Sequence, residues 1–156
     1  MSDMSVDAAK PFVPAVARVT ESLSPYAEPL VRVATGLLLV PHGAQKLFGW
    51  FGGYGIAGTE RFFASKLGLP PWVAVLSGLI EFGGGLLLAL GLLTRPAAAL
   101  VVGLMTVAVI QVHLANGFFW TEGGYEYPLL WGILALSFVI RGGGRFSLDA
   151  LIGREI

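Results

Sequence analysis

The sequence predicts an all-α fold: an integral membrane four-helix bundle with both termini in the cytoplasm. Three observations predict it. Apolar residues make up 55% of the 156 positions and charged residues only 13%, about half of the roughly 25% that a soluble domain carries. The apolar residues gather into long stretches with the length of membrane spans. The basic residues divide unevenly between the two ends of those stretches. The length is that of one domain. A formal net charge of zero gives no electrostatic footprint for nucleic acid. The absence of cysteine excludes disulfides, thiolate metal sites, iron–sulfur clusters and thiol redox chemistry, and it leaves the redox compartment open.

Taken in order, residues 1–28 form an N-terminal cytoplasmic segment punctuated by Pro11, Pro14 and Pro25. Phe12, Val16, Val19 and Leu23 recur at helical spacing, with Arg18 and Glu21 off that stripe. This is the pattern of a helix lying on the membrane surface; a loose tail is the alternative. Asp3 and Asp7 spoil a basic n-region, so a signal peptide is not expected here. Residues 29–141 carry four spans, at about 29–48, 72–93, 96–116 and 127–140. The first three reach the roughly 20 residues that cross ~30 Å of hydrocarbon. The fourth is short, which places Tyr125 and Tyr127 at the interface or requires a thinner bilayer. Arg95 and Pro96 punctuate the second span, and Pro96 suits the first turn of the third. Residues 142–156 are a cytoplasmic C-terminal tail.

Lys10, Arg18, Arg32, Arg95, Arg141, Arg145 and Arg154 fall on one side of such a bundle, and Lys46, Arg61 and Lys66 on the other. The richer side is cytoplasmic by the positive-inside rule. Trp50, Trp72, Trp120 and Trp131 fall at or near the opposite ends, joined by Phe62, Phe63, Phe118, Phe119 and Tyr54. An interfacial belt accounts for some of them; so many on one side also suggest an aromatic lid. The 49–71 connection is long and glycine-rich, with a short helix from Thr59 to Leu67. Its Gly53, Gly55 and Gly58 match G-x-G-x-x-G. A nucleotide site needs a preceding strand, and this segment follows a membrane helix, so the glycines are assigned to turns.

Ionisable groups inside spans are the informative residues, because each costs roughly 2.5–3.5 kcal/mol at mid-bilayer unless it finds a partner or water. Arg32, Thr35, Leu39, His42 and Lys46 alternate by three and four and share one face of the first span. Ser77, Glu81, Gly84, Leu88 and Gly91 form a second stripe, whose small residues admit a close neighbour. Gly103, Thr106, Ile110, His113 and Gly117 form a third. At about 1.5 Å per residue, Glu81 lies ~13 Å below Trp72, and His42 lies similarly far below Trp50. Lys46 and Glu81 are therefore expected to pair, with His42 beside them. Pro41 frees the carbonyl of Leu37 from its usual bond. Plainer readings stand beside these. Lys46 snorkels to the interface, the pair only fixes helix register, His113 is a wet interfacial residue, Arg32 marks the cytoplasmic end of its span, and Gly83-Gly84-Gly85 serves packing.

Four motifs fall in order along the spans. They are Arg32-x3-Gly36, His42-Gly43-x2-Lys46-Leu47, Gly78-x2-Glu81-x2-Gly84-Gly85 and Gly91-Leu92-x-Thr94-Arg95-Pro96. Together this pattern resembles the DoxX family of small bacterial membrane proteins over roughly residues 29–141. The resemblance implies a four-helix membrane fold in the bacterial inner membrane and an association with respiratory or redox systems. Family relatives are subunits of a quinol oxidase or, as DoxD proteins, of a thiosulfate:quinone oxidoreductase, and others are membrane partners of detoxifying enzymes. It directs attention to Arg32, His42, Lys46 and Glu81.

The function expected is a redox-associated subunit, with a quinone as the candidate cofactor in the outer half of the bundle. Glu81, His42 and Lys46 are the candidate catalytic residues. The same three with His113, Asn116, Trp50 and Trp120 are the candidate ligand-binding set; no metal site is expected. A quinone is apolar with two carbonyl acceptors, which suits an aromatic pocket with a few convergent polar groups. The partners expected are the lipid bilayer and a membrane or redox protein that supplies electrons. A structural anchor for an enzyme and a transporter subunit, which would require a homo-oligomer, are the alternatives. Haem ligation by His42 and His113 requires similar depths, which the spacing does not give.

Overall fold

A computed structural model of the protein describes residues 10–155. It is helical throughout, with no strand among the described residues. We label the helices α1 (Pro14–Phe48), α2 (Gly55–Leu67), α3 (Pro71–Leu90), α4 (Thr94–Asn116), α5 (Glu126–Arg141) and α6 (Leu148–Ile152). Proline opens α1 and α3, where its missing N–H is no loss. Left-handed glycines close α1 at Gly49, α2 at Gly68 and α3 at Gly91.

α1 differs from the expectation. It is one helix of 35 residues, about 52 Å long at 1.5 Å per residue, longer than a bilayer core. Residues 14–28 are thus the first half of α1 rather than a separate surface helix or a loose tail. Val16, Val19 and Leu23 remain exposed along it. Residues 1–9 of the expected N-terminal segment lie outside the described residues. α3 and α4 are long and apolar enough to cross a membrane. By the same measure α1 is diluted by Arg32, His42, Gln45 and Lys46, and α5, with 16 residues, is short.

Leu39 of α1, Ile80 of α3, Val101 and Met105 of α4 and Ala135 of α5 form one buried apolar cluster. α1 and α3 approach through glycines. A Cβ built on Gly43 would stand 2.7 Å from the Gly78 carbonyl, and one on Gly85 would stand 2.8 Å from the Gly36 carbonyl. Small residues on facing helices replace side-chain volume with backbone contact. The expected stripe of Ser77, Glu81, Gly84 and Leu88 is buried.

The third stripe is corrected. Gly103, Thr106 and Ile110 are exposed, and α4 buries Ala97, Ala98, Val101 and Met105 instead. α3 and α4 each contain a π-helical segment, Ile80–Gly84 and Ala108–His113. A π turn inserts one residue into the helical register and rotates the residues beyond it. In α4 this carries His113 from the exposed Ile110 face toward the side that Met105 occupies.

The C-terminal tail is docked. Ser147 caps α6 by accepting from the Ala150 amide at 3.1 Å, and Asp149 is buried. Its carboxylate accepts from the Leu93 amide at 2.8 Å, the Thr94 amide at 2.9 Å and the Thr94 hydroxyl at 2.7 Å. It thereby caps the N-terminus of α4 with a negative charge. Arg32 does not simply mark the end of a span. It is 1% exposed and donates to the carbonyls of Leu88 at 2.8 Å, Ala89 at 2.6 Å and Phe146 at 2.7 Å, tying α1 to the end of α3 and to the tail.

Candidate functional site

At the α2 end, a cavity of about 360 Å³ opens among α1, α2, α3, α4 and α5. Five of the candidate ligand-binding residues line it: His42, Lys46, Glu81, His113 and Trp120. Asn116 and Trp50 do not. Asn116 does not line the cavity but donates at 3.1 Å to the carbonyl of Gly123, which does, and Trp50 packs on Phe48 with ring centroids 5.0 Å apart. Trp50 sits in a short 3-10 turn just beyond α1 and Asn116 in the 3-10 turn that ends α4, and spacing along the chain does not fix where such turns aim their side chains. The cavity wall is otherwise largely apolar, including Leu39, Leu104, Met105 and Trp131.

Lys46 and Glu81 meet directly: the ammonium donates to Glu81 Oε1. Lys46 comes from the last turn of α1 and Glu81 from the π segment of α3. The pair is asymmetric. The Lys46 side chain is 28% exposed and that of Glu81 8%. Glu81 Oε2 is buried without a hydrogen-bond partner among the described residues, a costly state in a low-dielectric interior. His42 stands one turn before Lys46 with its ring edge-on to Trp131, centroids 6.2 Å apart. The Trp131 indole N–H donates to the Thr35 carbonyl at 3.3 Å, which fixes that ring.

His113 faces this group from α4. Its Nδ1 lies 2.6 Å from the Gly123 carbonyl. A carbonyl only accepts, so Nδ1 carries the hydrogen, and in the neutral imidazole Nε2 is then an acceptor with no protein donor among the described residues. Trp120 stacks on Tyr127 at 5.3 Å and 8°, closing that side with aromatic surface. The site thus offers spare ammonium donors at one pole and an imidazole acceptor at another, inside an apolar chamber.

Phe62 and Phe63 of α2 also line the cavity, the part of the expected lid that reaches the site. At the other end of the molecule Thr94 stands in the fourth motif, but its partner Asp149 lies outside all four motifs. The available signal was Ser147 before an apolar residue, a helix-start signature that leaves Asp149 in the first turn of a short helix.

A sequence model of the DoxX family matches residues 29–114, more than half of the chain. A protein of Haemophilus influenzae is 32% identical over 136 residues, 83% of this chain and 92% of its own length. CatD of Bacillus subtilis, provisionally named an oxidoreductase, is 32% identical over 123 residues, covering 79% of this chain and 84% of CatD. YqjF of Escherichia coli, named an inner membrane protein, is 32% identical over 128 residues, 81% and 92% of the two chains. No solved structure matches the chain. The apolar helices and these relatives locate the chain in the inner membrane. The family match contains the cavity's Lys46, Glu81, His42 and His113, and this chain belongs to the DoxX family of membrane proteins.

Proposed function

We propose that the chain is a redox-associated membrane subunit that holds a quinone, or a carrier of similar shape and polarity, in the cavity at the α2 end. In this reading α1, α3, α4 and α5 all cross the bilayer as a four-helix bundle. Both termini are cytoplasmic, and the cavity lies in the outer half. The observation that carries the proposal is a largely apolar cavity of about 360 Å³ with a Lys–Glu pair in its wall, a size within the usual range for small-molecule sites. The provisional oxidoreductase name of CatD supports the redox association.

The residues present fit a quinone. Leu39, Leu104, Met105 and Trp131 offer apolar and aromatic surface to a ring. Lys46 uses one ammonium hydrogen on Glu81 and keeps others for a ring carbonyl. His42 has no hydrogen-bond partner among the described residues and supplies a second donor. His113 Nε2 accepts from a ring hydroxyl. Glu81 balances the Lys46 charge, and Oε2 is a site for a proton. A bound quinone supplies chemistry in which electron and proton uptake are coupled. The electrons come from a membrane or redox partner, because the side chains of this chain carry none.

Trp120 and Trp131 in the wall make binding visible. Titration of the purified protein in detergent with a short-chain quinone is expected to quench tryptophan fluorescence saturably. Lys46→Met should weaken the apparent affinity about tenfold, the worth of one charge-assisted hydrogen bond of ~1.5 kcal/mol. Quenching that never saturates, or that is identical in Lys46→Met and Trp131→Phe, overturns the proposal.

A further inference from the structure

A second cavity, of about 380 Å³, lies beneath the connection between α1 and α2. It shares His42, Lys46, Phe62 and Phe63 with the first. Those residues border both cavities. The two chambers differ in chemistry. The residues particular to the second include the Gln45 amide, the Tyr54 phenol and the Thr59 hydroxyl. Gln45 Nε2 donates to the Phe51 carbonyl at 3.3 Å, and the Thr59 hydroxyl donates to the Gly55 carbonyl at 2.7 Å. The amide oxygen of Gln45 and the lone pairs of Thr59 have no protein donor among the described residues. Polar groups left this way in a roomy chamber are satisfied by water.

The Lys46–Glu81 pair stands at this border. Its ammonium side is partly open and its carboxylate side closed. An ion pair sealed from water on every side meets a desolvation penalty that often exceeds its Coulombic gain. A wet chamber on the Lys46 side removes much of that penalty and leaves the other chamber dry. The connection is held over Lys46 by the chain itself: the Thr59 hydroxyl approaches the Lys46 carbonyl at 3.4 Å, and a Cβ on Gly53 would meet the Gln45 side chain at 2.6 Å.

We propose that the second cavity is a water-filled vestibule through which the Lys46–Glu81 pair exchanges protons with the aqueous phase at the α2 end. Lys46, His42, Phe62 and Phe63 partition it from the dry first cavity. The titratable groups around the pair are His42 on α1, His113 on α4, Tyr127 on α5 and, on the vestibule side, Tyr54. The vestibule does not depend on the quinone proposal, since it holds for any small apolar occupant of the first cavity. It makes the site proton-coupled to one side of the membrane only.

The chain has no cysteine, so a single introduced thiol reports alone. Gln45→Cys samples the vestibule, Ser77→Cys the first cavity, and Ser65→Cys, at an exposed position of α2 outside both, is the open reference. Each full-length variant, with its melting temperature checked, is treated in sealed vesicles of both orientations. The probes are anionic sulfonatoethyl methanethiosulfonate and neutral methyl methanethiosulfonate. The anionic reagent should modify Gln45→Cys at a rate near that of the reference. It should modify Ser77→Cys more slowly by at least an order of magnitude, because a charge does not enter an apolar chamber without compensation. The neutral reagent should reach both. Adding Phe63→Ala should raise the anionic rate at Ser77→Cys toward that at Gln45→Cys. Equal anionic rates at the two positions without Phe63→Ala would show one continuous chamber and overturn the partition. An inert Gln45→Cys would overturn the vestibule. Modification from the cytoplasmic side alone would overturn the orientation while leaving the two chambers standing. Failure of quinone quenching beside the expected thiol pattern would remove only the quinone.

Discussion

Lys46 and Glu81 stand 35 positions apart, yet their contact is legible at the residue level, because two charges at equal depth on inward stripes have no better partner. What the pair does is a separate question, which a double substitution answers. Glu81→Gln alone leaves Lys46 without full compensation and should cost up to about 3–5 kcal/mol, less if water reaches it. Lys46→Met with Glu81→Gln should recover much of that stability, read as melting temperature in detergent. If Lys46 holds a ring carbonyl, the recovered protein should still show the roughly tenfold weaker quinone quenching of Lys46→Met. A stable double variant with unchanged quenching would leave only a structural role. Asp149 was not legible in this way. Burial pushes its carboxyl up, but the hydrogen bonds from Thr94 and Leu93, with Arg32 nearby, outweigh this and hold it below the usual carboxylate range. A carboxyl depressed on folding stabilises above its unfolded pKa, near 3.9, and loses that contribution as pH falls through the lower folded value. Asp149→Asn should therefore lower the melting temperature at neutral pH, by the equivalent of about 1–3 kcal/mol. The difference from the parent should shrink in acid below the ordinary carboxylate range. A difference that persists unchanged there would mean that the charge is not the stabilising feature.

At the scale of elements, the π segments decide more than the helices that contain them. A stripe drawn at 3.6 residues per turn puts His113 with Thr106 and Ile110, both exposed; the extra residue in Ala108–His113 turns it to the cavity. Deleting Val109 should convert that segment to α-helix and leave His113, then two α-turns beyond Met105, on the cavity face. Quinone affinity should then stay near that of the parent with little change in melting temperature, whereas His113→Ala should lower it. A deletion variant that binds as weakly as His113→Ala would show that the π turn does not set the facing of His113. The helix contacts were more legible, because the small residues Ser77, Gly84 and Gly91 in the stripe of the second span announce a close neighbour. Gly43→Val tests that contact. The added carbons meet the Gly78 carbonyl and Phe82 of α3, and overpacking of this kind costs about 1–3 kcal/mol. An unchanged melting temperature would mean that α1 and α3 are not pressed together there.

At the scale of the whole molecule, orientation and tail docking are the properties with consequences. The uneven division of basic residues leads to the expectation that reporter fusions at residue 10 and after residue 155 both report the cytoplasm, and that thiols placed in the 49–71 connection react only from outside. Reaction of that connection from the cytoplasmic face would reverse the proposed orientation of the cavity. The sequence by itself determined the class of the protein, the positions of its long helices, the Lys46–Glu81 pairing and the aromatic character of one end. These come from composition and from period and depth along single helices, which are local quantities. Only the tertiary structure decided that α1 begins as far back as Pro14, that Arg32 and Asp149 tie the tail to the helix ends, and that His113 reaches the cavity while Asn116 and Trp50 do not. It also revealed two cavities that both reach Lys46. The reason is physical: a carbonyl left over at a helix end, a register shifted by a π turn and a cavity between elements belong to no single segment. They arise only when the ends and faces of several helices are placed against one another.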